Sequence, residues 1–374
     1  MGRRGVGRGF AKRYLVLSLS FLFVMAAAGV KLAPAADEKP VYMDPSAPIE
    51  KRIADLLPRL TLEEKIGMIH GDRKLNTAMD NTPVMRLGIP RLAMTDGPHG
   101  VRMDTSTAFP PGVSLASTWN ENLIGQVGAA IGRETLAKGR TVILGPCVNI
   151  HRFPFGGRNF ESYSEDPYLA GRIAVGYIKG VQSQNAVATV KHYAVNNQEH
   201  ERGTISVEID ERTLREIYLP QFEVAVKEGG SLALMCSYNR INGVYACENK
   251  HILTDILKDE WGFKGVVMSD WGATHSTIET AMAGMDIEMP FGDYTGDKLL
   301  EAVKAGKVPE SVIDDKVSRI LYVIFKIGLF DRKININGDW VDSPEHRAIA
   351  LDAAREGIIL LKNKGDVLPI DRNK

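Results

Sequence analysis

The chain has 374 residues, 44% hydrophobic and 25% charged, with 46 basic residues against 46 acidic. That is ordinary composition for a globular protein, and it supplies no excess positive charge to hold a nucleic acid backbone. The charge is unevenly placed: Arg3, Arg4, Arg8, Lys12, Arg13 and Lys31 precede every acid, and without them 40 basic residues face 46 acidic ones, a net charge of −6.

The basic start has the layout of a secretory signal peptide. An apolar run from Tyr14 to Val30 follows it, then the small residues Ala33-Pro34-Ala35-Ala36, so cleavage is expected after Ala35 and residues 1–35 are set apart from the fold. The apolar run approaches spanning length, which makes a retained anchor the alternative. The small-residue site directly behind it favours export to the periplasm or medium, with no stable membrane insertion after cleavage. No cysteine lies near that site, which speaks against a lipoprotein.

From residue 45 onward, short apolar runs rich in β-branched residues alternate with longer amphipathic stretches. Strands are expected at 91–95, 141–148, 186–191, 231–237, 265–269 and 284–289. Helices are expected at 120–138, 167–183, 210–228, 249–260, 274–282 and 296–305, the third opened by Asp210 as N-cap with acids in its first turn. Such alternation predicts an α/β fold with a mostly parallel sheet and crossover helices, a (β/α)8 TIM-like barrel over 45–333. Six strands are legible where a closed barrel needs eight: either two are too weak to read or the barrel is incomplete. After Phe330 the periodicity lapses through Ile334–Trp340, as in a linker. Ser343 then caps a helix expected to run to about Arg355, and an apolar run, Ile358 to Leu361, follows. Residues 334–374 read as a linker and the start of a further domain, cut short.

Three cysteines, Cys147, Cys236 and Cys247, cannot make a fully paired framework. Cys236 and Cys247 flank a turn signal, Asn242-Gly243, so a hairpin could bring them within bonding distance. Two buried thiols are the alternative, and export favours the bond.

Polar residues gather where the strands end. The run Gly265 to Met268 stops at Ser269-Asp270-Trp271, and an acid there is poorly placed for packing but well placed for chemistry. The first strand leads to Asp96 and Arg102, the second to Asn149, Arg158 and Glu161, the third to Lys191-His192, the fourth to Ser237-Tyr238-Asn239, the sixth to Glu288. Singly, each is a turn residue or a solvated strand end; six in register describe one pocket of carboxylates, cations, amides and aromatics. A sugar ring, with its hydroxyls and one aliphatic face, suits that mixture. No glycine-rich phosphate loop is present, so nucleotide cofactors are not indicated. His192 and His200, eight residues apart, make a weak metal signal, and neither a cofactor nor a metal is called for.

At this point the chain resembles glycoside hydrolase family 3, in particular its β-glucosidases. The strings DGPHGVR (96–102), GRNFESYSEDP (157–167), KHYAVNNQEHER (191–202), CSYNRINGVYAC (236–247) and GVVMSDWGATH (265–275) carry the resemblance, which covers roughly 53–370. It implies a retaining exo-β-glycosidase releasing terminal β-D-glucose from a β-glucoside or oligosaccharide, with Asp270 as the nucleophile. Asp96, Arg158, Lys191, His192 and Tyr238 would hold the sugar and steady the nucleophile, Trp271 would form a wall, and Arg102 and Glu199–Arg202 would lie nearer the rim. Lys191 and Arg158 beside Asp270 are expected to keep it ionised at neutral pH. The resemblance also places the acid/base on an α/β-sandwich domain after the barrel, whose first elements 334–374 resemble. Glu161, Glu199 and Glu201 are the local substitutes. The histidine-bearing loop of the family's β-N-acetylglucosaminidases is not matched. A β-xylosidase is the neighbouring alternative, although DGPHGVR stands where that branch carries a glutamate-containing motif. A non-catalytic sugar-binding protein produced by truncation is the alternative of a different class.

Overall fold

The structure is a computed structural model that describes residues 39–73 and 78–373; the expected signal peptide lies outside them. Among the described residues no helix is long and apolar enough to cross a membrane. Val41–Lys374 forms one compact unit.

Five strands, β1 (Met94–Asp96), β2 (Val142–Leu144), β3 (Val187–Tyr193), β4 (Ala233–Cys236) and β5 (Val266–Ser269), pair in parallel in chain order. Met94 lies beside Val142, Val142 beside Val187, Thr189 beside Ala233, and Ala233 beside Val266. Every residue of β2–β5 is buried, as parallel strands covered on both faces require. Alternation along each strand divides the core. Ile143, Ala188, Val190, Leu234 and Val267 join one apolar cluster; Val142, Leu144, Val187, Ala233, Met235 and Met268 join a second.

The sheet continues beyond β5 through isolated bridges. Ile287 pairs with Met268 and Glu288 with His70, both in parallel, while Gly71 pairs with Asn81 and Asp80 with Ala93, both antiparallel. The hydrogen-bonded path thus returns to the edge of β1 through segments near 287–288, 69–71 and 79–81. These account for the shortage of legible strands. The expected strand 284–289 contributes only bridging residues, and the two absent strands are too short for a period, one running against its neighbours.

Of the crossover helices, α1 (Glu121–Ala137) is capped by Asn120 and α2 (Pro167–Ser183) by Asp166, each accepting first-turn N–H groups. The two helices approach to backbone contact, since a Cβ on Gly128 would lie 2.4 Å from the Tyr177 carbonyl oxygen. The expected helix 210–228 is instead three pieces: Glu211–Thr213 capped by Asp210, a π-helical turn Leu214–Tyr218, and α3 (Pro220–Lys227). Pro220 supplies no N–H to a continuing helix. A 17-residue helix that the sequence reading did not include, α4 (Glu310–Lys326), covers the sheet near β5. Ser343 caps α5 (Pro344–Glu356) as expected. α5 lies on α1, where His346 Nδ1 is 2.9 Å from Glu134 Oε1, both buried. After α5, Ile358, Ile359, Leu360 and Leu361 are exposed.

Cys236, at the end of β4, is bonded to Cys247, with Cα atoms 5.5 Å apart. The intervening hairpin, Arg240–Ile241 against Val244–Tyr245, turns at Asn242 (φ 50°) and Gly243 (φ 86°), the left-handed pair that a tight hairpin prefers. Cys147 is free and buried.

Candidate active site

The eight residues expected to form the sugar site, Asp96, Arg102, Arg158, Lys191, His192, Tyr238, Asp270 and Trp271, face one cavity of about 410 Å³ at the carboxyl ends of the strands. Asn149, Ser237, Asn239 and Glu288, also expected there, do not line it, and Glu288 is bonded to Thr295 instead. Asp96 ends β1, and a tight turn follows it. A side chain at Gly97 (φ 137°) would place its Cβ 1.9 Å from the Gly100 carbonyl oxygen, so only glycine fits there. The turn returns Arg102 to Asp96, Nη1 to Oδ2 at 2.6 Å, with Arg102 largely exposed at the rim.

Lys191 and His192 are consecutive in β3 and would ordinarily point to opposite faces. The pairing of β3 with β4 shifts register between Lys191 and Tyr193, and both side chains reach the cavity. The loop after β2 carries Arg158, and a 3-10 turn, Asn159–Glu161, follows it. Tyr238 stands two residues past β4, and Asp270 and Trp271 directly follow β5.

The charges form a chain. Lys191 Nζ, almost fully buried, lies 3.0 Å from Asp96 Oδ1 and 3.2 Å from Glu161 Oε1. Arg158 donates from Nε (2.8 Å) to Glu161 Oε2. Its Nη2 lies 3.1 Å from His192 Nε2. Burial alone would push both acids up. For Asp96 the charges of Lys191 and then Arg102 outweigh it, and for Glu161 those of Lys191 and Arg158 do, so both carboxyls sit below their ordinary range. Burial first, then the Arg158 and Lys191 cations, push His192 well below the usual histidine value and keep it neutral. The cavity lining sets three carboxylates, Asp96, Glu161 and Asp270, among four cations, Arg102, Arg158, Lys191 and Arg202.

Asp270 is 7% exposed. Its Oδ1 accepts from the Trp271 N–H at 2.7 Å, while Oδ2 is buried with no hydrogen-bond partner and lies 3.6 Å from His192 Nε2. Its pKa is raised: desolvation outweighs Lys191, the Trp271 N–H, Tyr238 and Arg158, all of which act to lower it. The cations expected to govern this carboxyl are therefore present but lose to burial. The Tyr238 hydroxyl donates to the Trp271 carbonyl (3.2 Å), and the Trp271 indole N–H donates to the Ala78 carbonyl (2.7 Å), which fixes the wall.

Some of the site's bonding went unread in the sequence. Glu161 is no free acid but the shared anion of Lys191 and Arg158. Arg202 stacks over the Tyr238 ring at 4.4 Å and pairs with Glu199 at 2.7 Å. Leu144 and Met235 line the apolar floor. They are the cross-strand partners of Asp96 and Lys191, so the register of named residues would have found them. Asn149, buried behind His192, appeared in the sequence only as part of a strand end. Among the described residues no group of acidic, histidine or cysteine side chains could hold a metal ion.

A curled parallel sheet with this constellation at its carboxyl ends defines a class, and residues 60–323 match the glycosyl hydrolase family 3 N-terminal domain: the chain belongs to glycosyl hydrolase family 3. It is 46% identical over 330 residues to a β-glucosidase of Rhizobium radiobacter, covering 86% of this chain and 40% of that protein. It is 42% identical over 401 residues to a β-glucosidase of Bacteroides ovatus, covering 98% of this chain and 52% of that one. In three dimensions it is similar to β-glucosidase 3B from Thermotoga neapolitana in complex with α-D-glucose, with a TM-score of 0.80, 38% identity, and coverage of 86% of this chain and 49% of that one. The chain thus spans about half the length of the curated relatives it matches.

Proposed function

We propose that the cavity is the sugar site of an exported, retaining exo-β-glycosidase that releases terminal β-D-glucose, with Asp270 as nucleophile. The observation that carries this reading is Asp270 Oδ2, a buried carboxylate oxygen without a donor, facing the same cavity as Asp96, Lys191 and Arg158. Oδ2 attacks the anomeric carbon as the bond to the aglycone oxygen breaks, and that oxygen leaves with the electron pair and takes a proton from a general acid. Water then adds to the anomeric carbon, loses its proton to the same group, and releases glucose and the Asp270 carboxylate.

Among the described residues no acid inside the cavity suits the proton-donating role. Asp96 and Glu161 are held as paired anions, and Glu199 is tied to Arg202. We place the acid/base on an α/β-sandwich domain, of which 334–374 would be the linker and first elements after a barrel over 45–333. Relatives twice as long support that division. Asp96, bonded to Lys191 rather than replaced by the glutamate-containing motif of β-xylosidases, favours glucose.

The test compares leaving groups. General acid catalysis contributes about 10²–10⁴-fold, so these 374 residues should cleave 2,4-dinitrophenyl β-glucoside, which departs without protonation, while leaving cellobiose almost untouched. Asp270→Asn should abolish turnover with unchanged circular dichroism; near-normal rates in that variant would remove Asp270 from the mechanism. Dinitrophenyl xyloside turned over as fast as the glucoside would favour the xylosidase reading, and sugar binding without any turnover the non-catalytic one. Because Asp270 is raised, activity should fall with decreasing pH at a midpoint above about 3.9, the ordinary aspartate value.

A further inference from the structure

His192 touches Arg158 on one side and Asn149 on the other, and which ring nitrogen carries its proton decides what Asp270 experiences. Asn149 is 6% exposed and His192 2%. Asn149 Nδ2 lies 2.9 Å from the His192 carbonyl oxygen, and Asn149 Oδ1 lies 2.9 Å from the His192 main-chain nitrogen. A main-chain N–H only donates and a carbonyl oxygen only accepts, so these two bonds fix the orientation of the amide without reference to the ring. Oδ1 is also 3.1 Å from His192 Nδ1. As an acceptor it requires the proton on Nδ1. On the opposite side an Arg158 guanidinium N–H, which can only donate, is 3.1 Å from Nε2, which requires Nε2 to be the bare nitrogen. The two sides agree independently.

We propose that Asn149 is a positioning residue: by holding His192 as the Nδ1–H tautomer it keeps Nε2 an acceptor and so withholds an imidazole N–H from Asp270 Oδ2. The alternative tautomer would put an N–H at Nε2, 3.6 Å from Oδ2 and within reach of a small shift. A hydrogen bond there would stabilise the carboxylate and blunt its attack. The inference about the tautomer stands on geometry alone, and its consequence for rate rests on the proposed role of Asp270. The other charged or titratable groups facing this pair are Cys147, 3.7 Å from Nδ1, Glu199 on the Asn149 side, and Asp96, Arg102, Arg158, Glu161, Lys191, Arg202 and Tyr238 around the cavity.

The experiment uses the whole chain labelled with [15N]histidine, with the His192 resonances assigned by their loss in His192→Gln. Long-range 1H–15N correlation should show His192 protonated at Nδ1 and bare at Nε2. In Asn149→Ala the acceptor beside Nδ1 is lost, only the Arg158 N–H still opposes Nε2–H, and the ring should shift toward that tautomer. Single-turnover release of dinitrophenol should then slow about tenfold, the order of one charge-assisted hydrogen bond, and the acid limb should move to lower pH. Packing damage alone would slow the reaction without moving that limb. A wild-type ring protonated at Nε2, or an unchanged tautomer in folded Asn149→Ala, would overturn the proposal, and the wild-type spectrum decides the first even if the variant does not fold. An altered tautomer with the limb unmoved would overturn the link to Asp270. Turnover surviving in Asp270→Asn would instead refute the nucleophile while leaving the tautomer intact.

Discussion

Replacing Lys191 with methionine tests the electrostatic frame of the cavity. Lys191 Nζ sits between Asp96 (3.0 Å) and Glu161 (3.2 Å) and is almost wholly buried. Methionine keeps much of the stem's volume and removes the charge. Breaking a buried ion pair from one side costs about 3–5 kcal/mol. Here each acid keeps a second partner, Arg102 for Asp96 and Arg158 for Glu161, and Asp96 is a third exposed, so the lower end, about 3 kcal/mol, is expected. The pH dependence has a definite sign. In the wild type both carboxyls are depressed, so their contribution is complete above the unfolded values, about 3.9 and 4.3, and is lost as pH falls through the folded ones. Without Lys191 the largest lowering charge is lost and both carboxyls move up, so the folded variant takes up protons at higher pH than the folded wild type. The gap to the wild type should therefore narrow as pH falls from neutral toward about 5. Urea unfolding followed by tryptophan fluorescence at both pH values measures this. A deficit below about 1 kcal/mol at neutral pH, the scale of an exposed pair, or a gap that widens on acidification, would refute the reasoning.

Glu161→Gln should weaken glucose binding by loosening Lys191 and Arg158, yet leave the ratio of dinitrophenyl glucoside to cellobiose rates unchanged; a selective loss of cellobiose cleavage would make Glu161 the proton donor after all. Replacing Cys236 and Cys247 together by alanine should cost about 3 kcal/mol, the loop-closure entropy of an 11-residue separation. Unchanged urea midpoints would show that the hairpin is closed by its turn alone.

What the sequence disclosed of the fold follows from what leaves a period in it. α1 and α2 were legible to within a residue of their ends because Asn120 and Asp166 cap them and their buried faces recur at helical spacing. The bridging segments at 69–71 and 79–81 hold too few residues for alternation to show, and their membership in the sheet comes from neighbours contributed by distant parts of the chain. The break at Pro220 was available locally, since proline cannot continue the preceding hydrogen-bond ladder. So was α4, whose buried Ile313, Val317, Ile320 and Ile324 repeat at three- and four-residue steps; nothing physical hid it.

The site divides along a different line. Which residues meet was readable because a parallel sheet delivers its strand ends to one place, and Asp96, Lys191, His192, Tyr238 and Asp270 all sit at such ends. How they are charged and bonded was not readable, because that depends on distances set across strands. Asp270 has the expected cations around it, yet its pKa rises because desolvation is the larger effect, and no string of residues states how dry a cavity will be. Glu161 looked available as an acid until its two oxygens were found engaged by Lys191 and Arg158. Asn149 shows the same limit most clearly: an amide at the end of β2 has no message of its own, and acquires one only because β3 brings the main chain and ring of His192 against it. The residues that end the strands leave motifs, whereas those that decide the proton inventory among them are defined by packing.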